Sequence, residues 1–172
     1  MQFQVPTRLS PTPLEPAYAK IILNFQQAPP VDVVGLAEAL GIRVWELSDL
    51  PATVSGKLFR DPVHGGSSQY SIGVNANEHF ERKRFTVAHE IAHYILHRNK
   101  IQTELVDDTM YRSPLVTSAE EAQANKLAAD ILMPLQLIQK MIQNGVTDVD
   151  VLANLFQVSG TAMRIRLGVP VP

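Results

Sequence analysis

The feature that most constrains this chain is a helical pattern from about Glu78 to Arg98 that is apolar on two sides. Residues three and four positions apart share one face of a helix, so two apolar stripes bury most of its circumference. Other elements must therefore pack around this helix, for which Asn77 is the predicted N-cap. The two stripes are Phe80, Val87, Ile91 and Ile95, and Phe85, Ala88, Ala92 and Leu96.

Shorter patterns on both sides of the central helix predict an α+β fold, with a small β-sheet on one side and further helices around the rest. Residues 99–117 have the composition of a loop. The predicted caps are Asp32 for the second helix, Thr147 and Ser159 for the last two, and Gly41 as a left-handed C′ residue. Helices are expected over 17–27, 33–40, 117–133, 148–157 and 160–167, and strands over 42–45, 54–60 and 69–74.

Composition excludes several classes of function. The 172 residues contain no cysteine, which removes disulfides, thiolate metal ligands and thiol nucleophiles, and which fits a reducing compartment. A net charge of −2 gives no bulk electrostatic reason to expect membrane or nucleic-acid binding. The chain shows neither a signal peptide nor a run of about 18 apolar residues, so a soluble, cytoplasmic protein is expected.

The chain is expected to form one main domain with two appendages. Residues 1–16 contain four prolines and predict an extended arm that is not helical. Residues 17–145 form the predicted domain. Residues 146–172 predict a helix-turn-helix-like segment that packs on the same domain.

The central helix carries an HExxH motif, His89-Glu90-Ile91-Ala92-His93. Two histidines four positions apart lie on one helix face and can bind the same cation. A zinc ion held there lowers the pKa of a water molecule towards 7, and Glu90 can accept the proton as general base during attack on a peptide carbonyl. The motif lies mid-helix after β-strands, which is the context of a zinc peptidase. The alternative is two surface histidines beside a solvated glutamate.

A catalytic zinc ion needs a third protein ligand. His97 is unsuitable, because it lies about 12 Å along the helix axis from His89 at about 1.5 Å per residue. It is expected to pack or to form a hydrogen bond at the helix end. Asn99 stands where an extended HExxHxxGxxH motif would need its last histidine. The remaining candidates are the carboxylates Glu104, Asp107, Asp108, Glu120 and Glu121.

Glu121 is the preferred third ligand, with Glu120 as the alternative. It opens the second strong helix, and Asn125 follows one turn later, as in gluzincins, where a polar residue one turn on orients a ligating histidine. Ser118 and Glu121 could instead form a capping box, but Thr117 and Glu120 form one as well, which leaves Glu121 free for zinc. Asn125 is then predicted to orient a histidine ligand through its carbonyl oxygen.

These residues resemble the ImmA/IrrE family of zinc metallopeptidases. RFTVAHEIAHYILH, from Arg84 to His97, is similar to the family signature RxFTxAHExGHxxLH. EAQANKLAADILMP, from Glu121 to Pro134, is similar to ExEANxFAAxLLMP. With weaker similarity upstream and downstream of these motifs, the resemblance covers about residues 30–168. The departures are Ala92 for Gly, Gln123 for Glu and Leu127 for Phe.

The resemblance implies a zincin-type active-site helix and an endopeptidase that cleaves one intracellular partner. That partner is commonly a helix-turn-helix repressor, whose cleavage derepresses a phage-like, mobile-element or stress operon. The rival hypothesis is a regulatory module that keeps the zinc fold and sequesters a repressor or toxin. An intact Glu90 favours the enzyme, because a binding module needs no general base.

Residues 147–167 also raise the hypothesis of DNA binding, with Arg164 and Arg166 on the second helix of the pair. Two arginines in a weakly acidic chain are too little positive charge, so direct nucleic-acid binding is not expected. The pair is instead expected to pack on the domain through Leu152, Leu155, Phe156, Met163, Ile165 and Leu167. Trp45 is expected in the core and the run Glu81–Arg84 on a solvated face. A tyrosine or histidine near the zinc ion could stabilise the oxyanion of the transition state, and the candidates are Tyr94, Tyr111 and His64.

Overall fold

The computed structural model describes residues 11–101, 103–108 and 116–171, and it has the predicted α+β architecture. Residues 1–10 of the predicted arm lie outside the described residues; residues 11–15 have no regular structure, and the first helix begins at Pro16 itself. The elements, in chain order, are α1 (Pro16–Phe25), α2 (Val33–Ala39), β1 (Ile42–Leu47), β2 (Val54–Arg60), β3 (Tyr70–Asn75), α3 (Phe80–His97), a 3₁₀ turn (Arg98–Lys100), β4 (Glu104–Asp108), α4 (Ser118–Leu132), α5 (Leu135–Gln143), α6 (Val149–Phe156) and α7 (Gly160–Leu167).

The sheet has the strand order β1-β3-β2-β4. β1 runs parallel to β3, with Ile42 opposite Tyr70, and β2 is antiparallel to both of its neighbours. β2 lies close to α3 at Gly56, where a Cβ atom would lie 2.4 Å from Thr86 Cγ2 and 2.8 Å from the Gly73 carbonyl oxygen. A glycine at position 56 therefore lets the strand and the helix approach each other.

The central helix α3 is buried as the two apolar stripes predict. Every residue from Thr86 to Tyr94 is buried, because the sheet covers one side of α3 and α4 covers another. Leu58, Ile91 and Leu132 are completely inaccessible to solvent and belong to one core that joins the sheet to both helices. The motif at residues 89–93 thus lies inside the molecule.

Local capping signals were predictive at three helices. Asp32 caps the start of α2, and Gly41, with φ +80°, follows its C-terminal end as predicted. Ser159 caps α7. At α4 the Thr117 hydroxyl accepts from the Glu120 N–H, and the Glu120 carboxylate accepts from the Thr117 N–H, so the predicted capping box is present.

Two predicted caps were wrong. α3 begins three residues after Asn77, whose own N–H donates to Asn75 Oδ1 in the turn before the helix. At α6 the cap is Asp148 rather than Thr147, and its carboxylate accepts from the N–H groups of Asp150 and Val151. A carboxylate one residue nearer the helix satisfies two free N–H groups at the terminus, which a hydroxyl further away cannot reach.

The predicted loop 99–117 contains the strand β4, which the sequence analysis missed. β4 is an edge strand that pairs with β2 alone, with Leu105 opposite Leu58. An edge strand is held by main-chain hydrogen bonds on one side and needs no alternating apolar pattern, so composition gave no signal for it. Residues 109–115 lie outside the described residues.

Three side chains do not lie where the sequence analysis expected them. Trp45 is 38% exposed on β1, where its indole N–H donates to Ser71 Oγ, so it is not a core residue. Leu155 and Ile165, at 37% and 67% exposed, lie on the outer side of the α6–α7 pair. The inner side of that pair does belong to the core, through Leu152, Phe156, Met163 and Leu167.

Three arginines have internal partners. Arg84, expected on a solvated face, donates instead to the carbonyl oxygens of Val31 and Gln157, and burial lowers its pKa. Arg164 pairs with Asp150 on α6 at 2.8 Å, and Arg166 pairs with Asp130 on α4 at 2.9 Å. Neither arginine of α7 is therefore available as an isolated positive charge.

None of the helices within the described residues is long and apolar enough to cross a lipid bilayer.

Candidate metal centre

α3 brings the two histidines of the motif together in the buried interior. His89 is 3% exposed and His93 is 1% exposed, and their ring centroids lie 4.5 Å apart. Their Nε2 atoms are separated by 3.0 Å. This approach follows from the four-residue spacing, which places both rings on one face of the helix one turn apart.

α4 brings the carboxylate of Glu121 to the same point. Its Oε2 atom lies 3.4 Å from His89 Nε2, and its Oε1 atom lies 3.3 Å from His93 Nε2. The side chain is 27% exposed, so the triad of His89, His93 and Glu121 is buried on the histidine side and reaches solvent on the carboxylate side.

The triad has the dimensions of a tetrahedral zinc site. Zinc binds histidine nitrogen and carboxylate oxygen at about 2.0–2.2 Å, which places neighbouring ligand atoms of a tetrahedron about 3.3–3.5 Å apart. The three separations in the structure are 3.0, 3.3 and 3.4 Å. These are the residues, among those described, whose ligand atoms converge within 4.8 Å of one another. The chemistry and spacing of the donor set therefore fit a divalent metal ion with a fourth position left for another ligand.

The electrostatics of the triad keep its donor atoms ready to bind. The close contacts with the imidazoles of His89 and His93 hold the pKa of Glu121 far below its usual range, against the opposing effect of burial. Burial lowers the pKa of His93, while Glu121 acts in the opposite direction and the neighbouring histidines add to the lowering. At neutral pH Glu121 is thus a carboxylate and His93 a neutral imidazole, which are the forms that bind metal.

The other ring nitrogen of His89 contacts Asn125. His89 Nδ1 and Asn125 Oδ1 lie 3.0 Å apart. An amide oxygen only accepts, so His89 carries its proton on Nδ1 and presents an Nε2 lone pair to the triad. The ring of Phe85 stacks near His89 at a centroid distance of 6.4 Å and packs against it.

The second histidine is supported by a longer row of contacts. His93 Nδ1 lies 3.0 Å from His97 Nδ1, and His97 Nε2 lies 3.2 Å from Gln123 Oε1. His97 thus meets His93 on its Nδ1 side, whereas the triad atoms meet it at Nε2. The hydrogen bond expected of His97 at the helix end is therefore present. Its partners, His93 and Gln123, were not predicted from the sequence.

Glu90, the predicted general base, lies in the same buried stretch and is 1% exposed. On a helix it projects about 100° away from His89, so it is beside the ligand pair rather than in line with it. Its role in catalysis stays a prediction.

Glu120 and Glu104, which were also considered as ligands, have other partners. Glu120 belongs to the capping box and pairs with Lys100, and these contacts lower its pKa to about 2, with the Lys100 hydrogen bond as the largest cause. Glu104 pairs with Lys57 at 3.2 Å. Asp107 and Asp108 lie in β4.

Two of the candidates for stabilising an oxyanion, Tyr94 and His64, lie within the described residues. Tyr94 packs edge-to-face on Tyr70 at 5.3 Å and lies under the Arg98 guanidinium. The His64 side chain is 73% exposed, with Asp61 as its nearest charged neighbour. Tyr111 lies outside the described residues.

A cleft of about 650 Å³ adjoins the metal centre. Two of its lining residues, Phe85 and Asn125, are those that contact His89, and Met133 and Val158 add apolar surface. Ile165, which is exposed on α7, lies at the same cleft. The sequence analysis did not find this cleft, because it forms where α3, α4 and α7 meet and no local pattern records that meeting.

Comparison with known proteins places the chain in a family. The sequence model of the peptidase M78 family, described as the IrrE N-terminal-like domain, matches residues 37–168, which is most of the chain and confirms the resemblance. No curated protein matches it significantly. Among solved structures, a Mycobacterium tuberculosis transcriptional regulator has a similar fold, with a TM-score of 0.58 and 15% sequence identity. The match covers 91% of this chain and 48% of the regulator, so the chain spans about half the length of that protein.

Proposed function

The chain belongs to the peptidase family described as the IrrE N-terminal-like domain, and on that premise we propose that it is a zinc-dependent endopeptidase acting on an intracellular protein. The observation that carries the proposal is the convergence of the triad: two imidazoles from α3 and one carboxylate from α4 meet at separations of 3.0–3.4 Å. Two nitrogen donors, one carboxylate and an open fourth position are typical of catalytic rather than structural zinc.

His89, His93 and Glu121 would hold the metal. A zinc ion bound there would supply Lewis acidity, lowering the pKa of a water molecule towards neutrality and polarising the substrate carbonyl. Asn125 fixes the His89 ring through the Nδ1 contact of 3.0 Å, so that the Nε2 lone pair points into the centre. The two histidines are buried, which strengthens charge interactions on their side of the site, whereas the Glu121 side reaches solvent.

Glu90 serves as the general base in this mechanism. Its carboxylate accepts a proton from the attacking water and passes it to the leaving amine, which is the usual division of labour between base and acid on one carboxylate. Placing the base on the helix that supplies both histidines fixes its position relative to the triad.

The cleft lined by Phe85, Met133 and Val158 would accommodate an apolar side chain of the substrate next to the scissile bond. The proposed substrate is a helix-turn-helix transcriptional repressor, whose cleavage would derepress a mobile-element, phage-like or stress operon. This follows the family resemblance, and the Mycobacterium tuberculosis protein of similar fold, a transcriptional regulator, is consistent with it. Arg164 and Arg166 are neutralised by aspartates, which argues against direct DNA binding by this chain.

Glu90→Gln tests the proposal. The amide has nearly the same size as the carboxylate but cannot accept a proton at neutral pH, so general-base assistance, commonly about 10²–10⁴-fold, should be lost. Cells expressing the wild type should accumulate a small set of new protein N termini, measured by N-terminal labelling and mass spectrometry. Cells expressing Glu90→Gln should lack these N termini.

Glu38→Gln is the matched control, since Glu38 is an exposed glutamate of α2. It should yield the wild-type set of N termini. Zinc content should be the same in all three proteins. If Glu90→Gln relieved repression without producing any fragment, the chain would be a binding module that sequesters its partner, and the enzyme assignment would be wrong.

A further inference from the structure

The two histidine ligands of the proposed metal site are held in different ways. His89 contacts an amide oxygen directly, through Asn125. His93 contacts a second imidazole, His97 at 3.0 Å, which in turn contacts the Gln123 amide oxygen at 3.2 Å. The inner part of this row is buried, with His93 at 1% and His97 at 6% exposure, whereas Gln123 is exposed on α4.

Metal binding through His93 Nε2 fixes every proton in the row. The Nε2 lone pair is available only if the proton sits on Nδ1. His93 Nδ1–H then donates to His97 Nδ1, which must be the unprotonated nitrogen of that ring. His97 consequently carries its proton on Nε2 and donates to the carbonyl oxygen of Gln123. Each contact then has one donor and one acceptor.

We infer that His97 and Gln123 are positioning residues, which hold His93 in the tautomer that presents Nε2 to the metal ion. The inference rests on the proposed metal site and deepens it. It explains why a polar, ionisable side chain is buried at the end of α3, where a leucine or phenylalanine would fill the same space. An apolar residue at position 97 would leave His93 Nδ1–H without an acceptor in a buried place, which favours the other tautomer and costs the ligand its lone pair.

Gln123 has the weaker role, because its amide has two ends. If the amide rotates, its NH₂ group donates to His97 Nε2, the row reverses, and His93 carries its proton on Nε2. A carboxylate at position 123 could only accept and would allow one direction alone. The Gln123 side chain also reaches solvent, so water can partly replace it.

Zinc affinity, measured by chelator competition at pH 8, tests the inference on four variants. His97→Phe should weaken zinc binding about 10–100-fold, the usual cost of losing a partner of a metal-ligating histidine. Gln123→Met should weaken it less, and Gln123→Glu should bind zinc at least as tightly as the wild type. Gln136→Met, the same exchange at an exposed glutamine of α5, should leave affinity unchanged. Gln123→Met changes an exposed residue, so it keeps the test valid if His97→Phe does not fold.

The ¹⁵N chemical shifts of the histidine rings in the zinc-loaded wild type supply a readout that simple packing would not move. These shifts distinguish protonated from unprotonated ring nitrogens. We expect His97 to show an unprotonated Nδ1 and a protonated Nε2. The opposite tautomer, or unchanged zinc affinity in folded His97→Phe and in Gln123→Met, would overturn the positioning role while leaving the metal site intact. A wild type that binds no zinc would overturn the metal site and the positioning role together.

Discussion

Exchanging Glu121 or its neighbour Glu120 for glutamine should separate a metal ligand from a helix cap. The two glutamates are adjacent in sequence, and both open α4, yet their surroundings differ. The Glu121 carboxylate lies 3.3–3.4 Å from both histidine Nε2 atoms. The Glu120 carboxylate instead accepts from the Thr117 N–H and pairs with Lys100.

The expected magnitude follows from the number of ligands. Zinc in four-ligand peptide sites is bound with about 10–16 kcal/mol, so one ligand contributes about 3 kcal/mol on average. At about 1.4 kcal/mol per factor of ten, this corresponds to about 100-fold in affinity. Glu121→Gln keeps an oxygen at the site but removes its negative charge, so we expect about 100-fold weaker zinc binding. Glu120→Gln should bind zinc like the wild type, because glutamine also completes a capping box.

Competition with a chromophoric chelator at pH 7 measures both affinities, and urea unfolding of the metal-free proteins checks that each variant is folded. The difference in zinc affinity between the two variants, rather than either affinity alone, distinguishes a metal ligand from a helix cap. If Glu120→Gln lost zinc while Glu121→Gln retained it, the ligand would be assigned one residue out, and the geometry of the triad would need another explanation.

Two further predictions concern the packing around the site. Asp130→Asn should lower the free energy of unfolding by about 3 kcal/mol in urea at pH 7, because it leaves the buried Arg166 side chain, 6% exposed, without its carboxylate partner. Asp150→Asn, in the exposed pair with Arg164, should have little effect. Equal effects of the two substitutions would contradict the role of burial. Burial raises the pKa of Asp130, but contacts with Lys126, Thr12 and Arg166 outweigh it and lower the pKa overall, so its contribution is present above about pH 4 and is lost as the pH falls further. Gly56→Ala should lower the free energy of unfolding by about 1–3 kcal/mol, because the added Cβ atom would meet Thr86 and the Gly73 carbonyl oxygen. It should also weaken zinc binding by displacing α3. An unchanged urea midpoint would show that β2 and α3 can separate without cost.

Local patterns in the sequence predicted most of the elements that build the site. The spacing of His89 and His93 fixed their approach as soon as the segment was helical, because helix geometry alone sets the relation between positions four apart. The capping box at Thr117 and Glu120 likewise involves only neighbouring residues, and it predicted where α4 begins. β2 was predicted with its observed ends, since its apolar pattern is bounded by turn residues on both sides.

Errors occurred where a distant part of the chain decides the outcome. Arg84 looked solvated within its own run of charges, but it is half-buried and donates to the carbonyl oxygens of Val31 and Gln157. Trp45 looked like a core residue, but it lies on the opposite face of β1 from Ile42 and Val44, where it is 38% exposed. β4 was missed because its partner, β2, lies more than forty residues earlier in the chain.

The sequence by itself determined the chemistry available at the centre. It places two imidazoles on one helix face, the carboxylate of Glu90 between them in the sequence, and acidic residues at the start of a second helix. Only the tertiary structure decided which of those acidic residues meets the histidines, since this depends on how α3 and α4 pack against each other. The same packing joins His97 to Gln123 and forms the cleft beside His89. A helix fixes the relations among residues within a few turns, whereas contacts between helices depend on the whole core that holds them together.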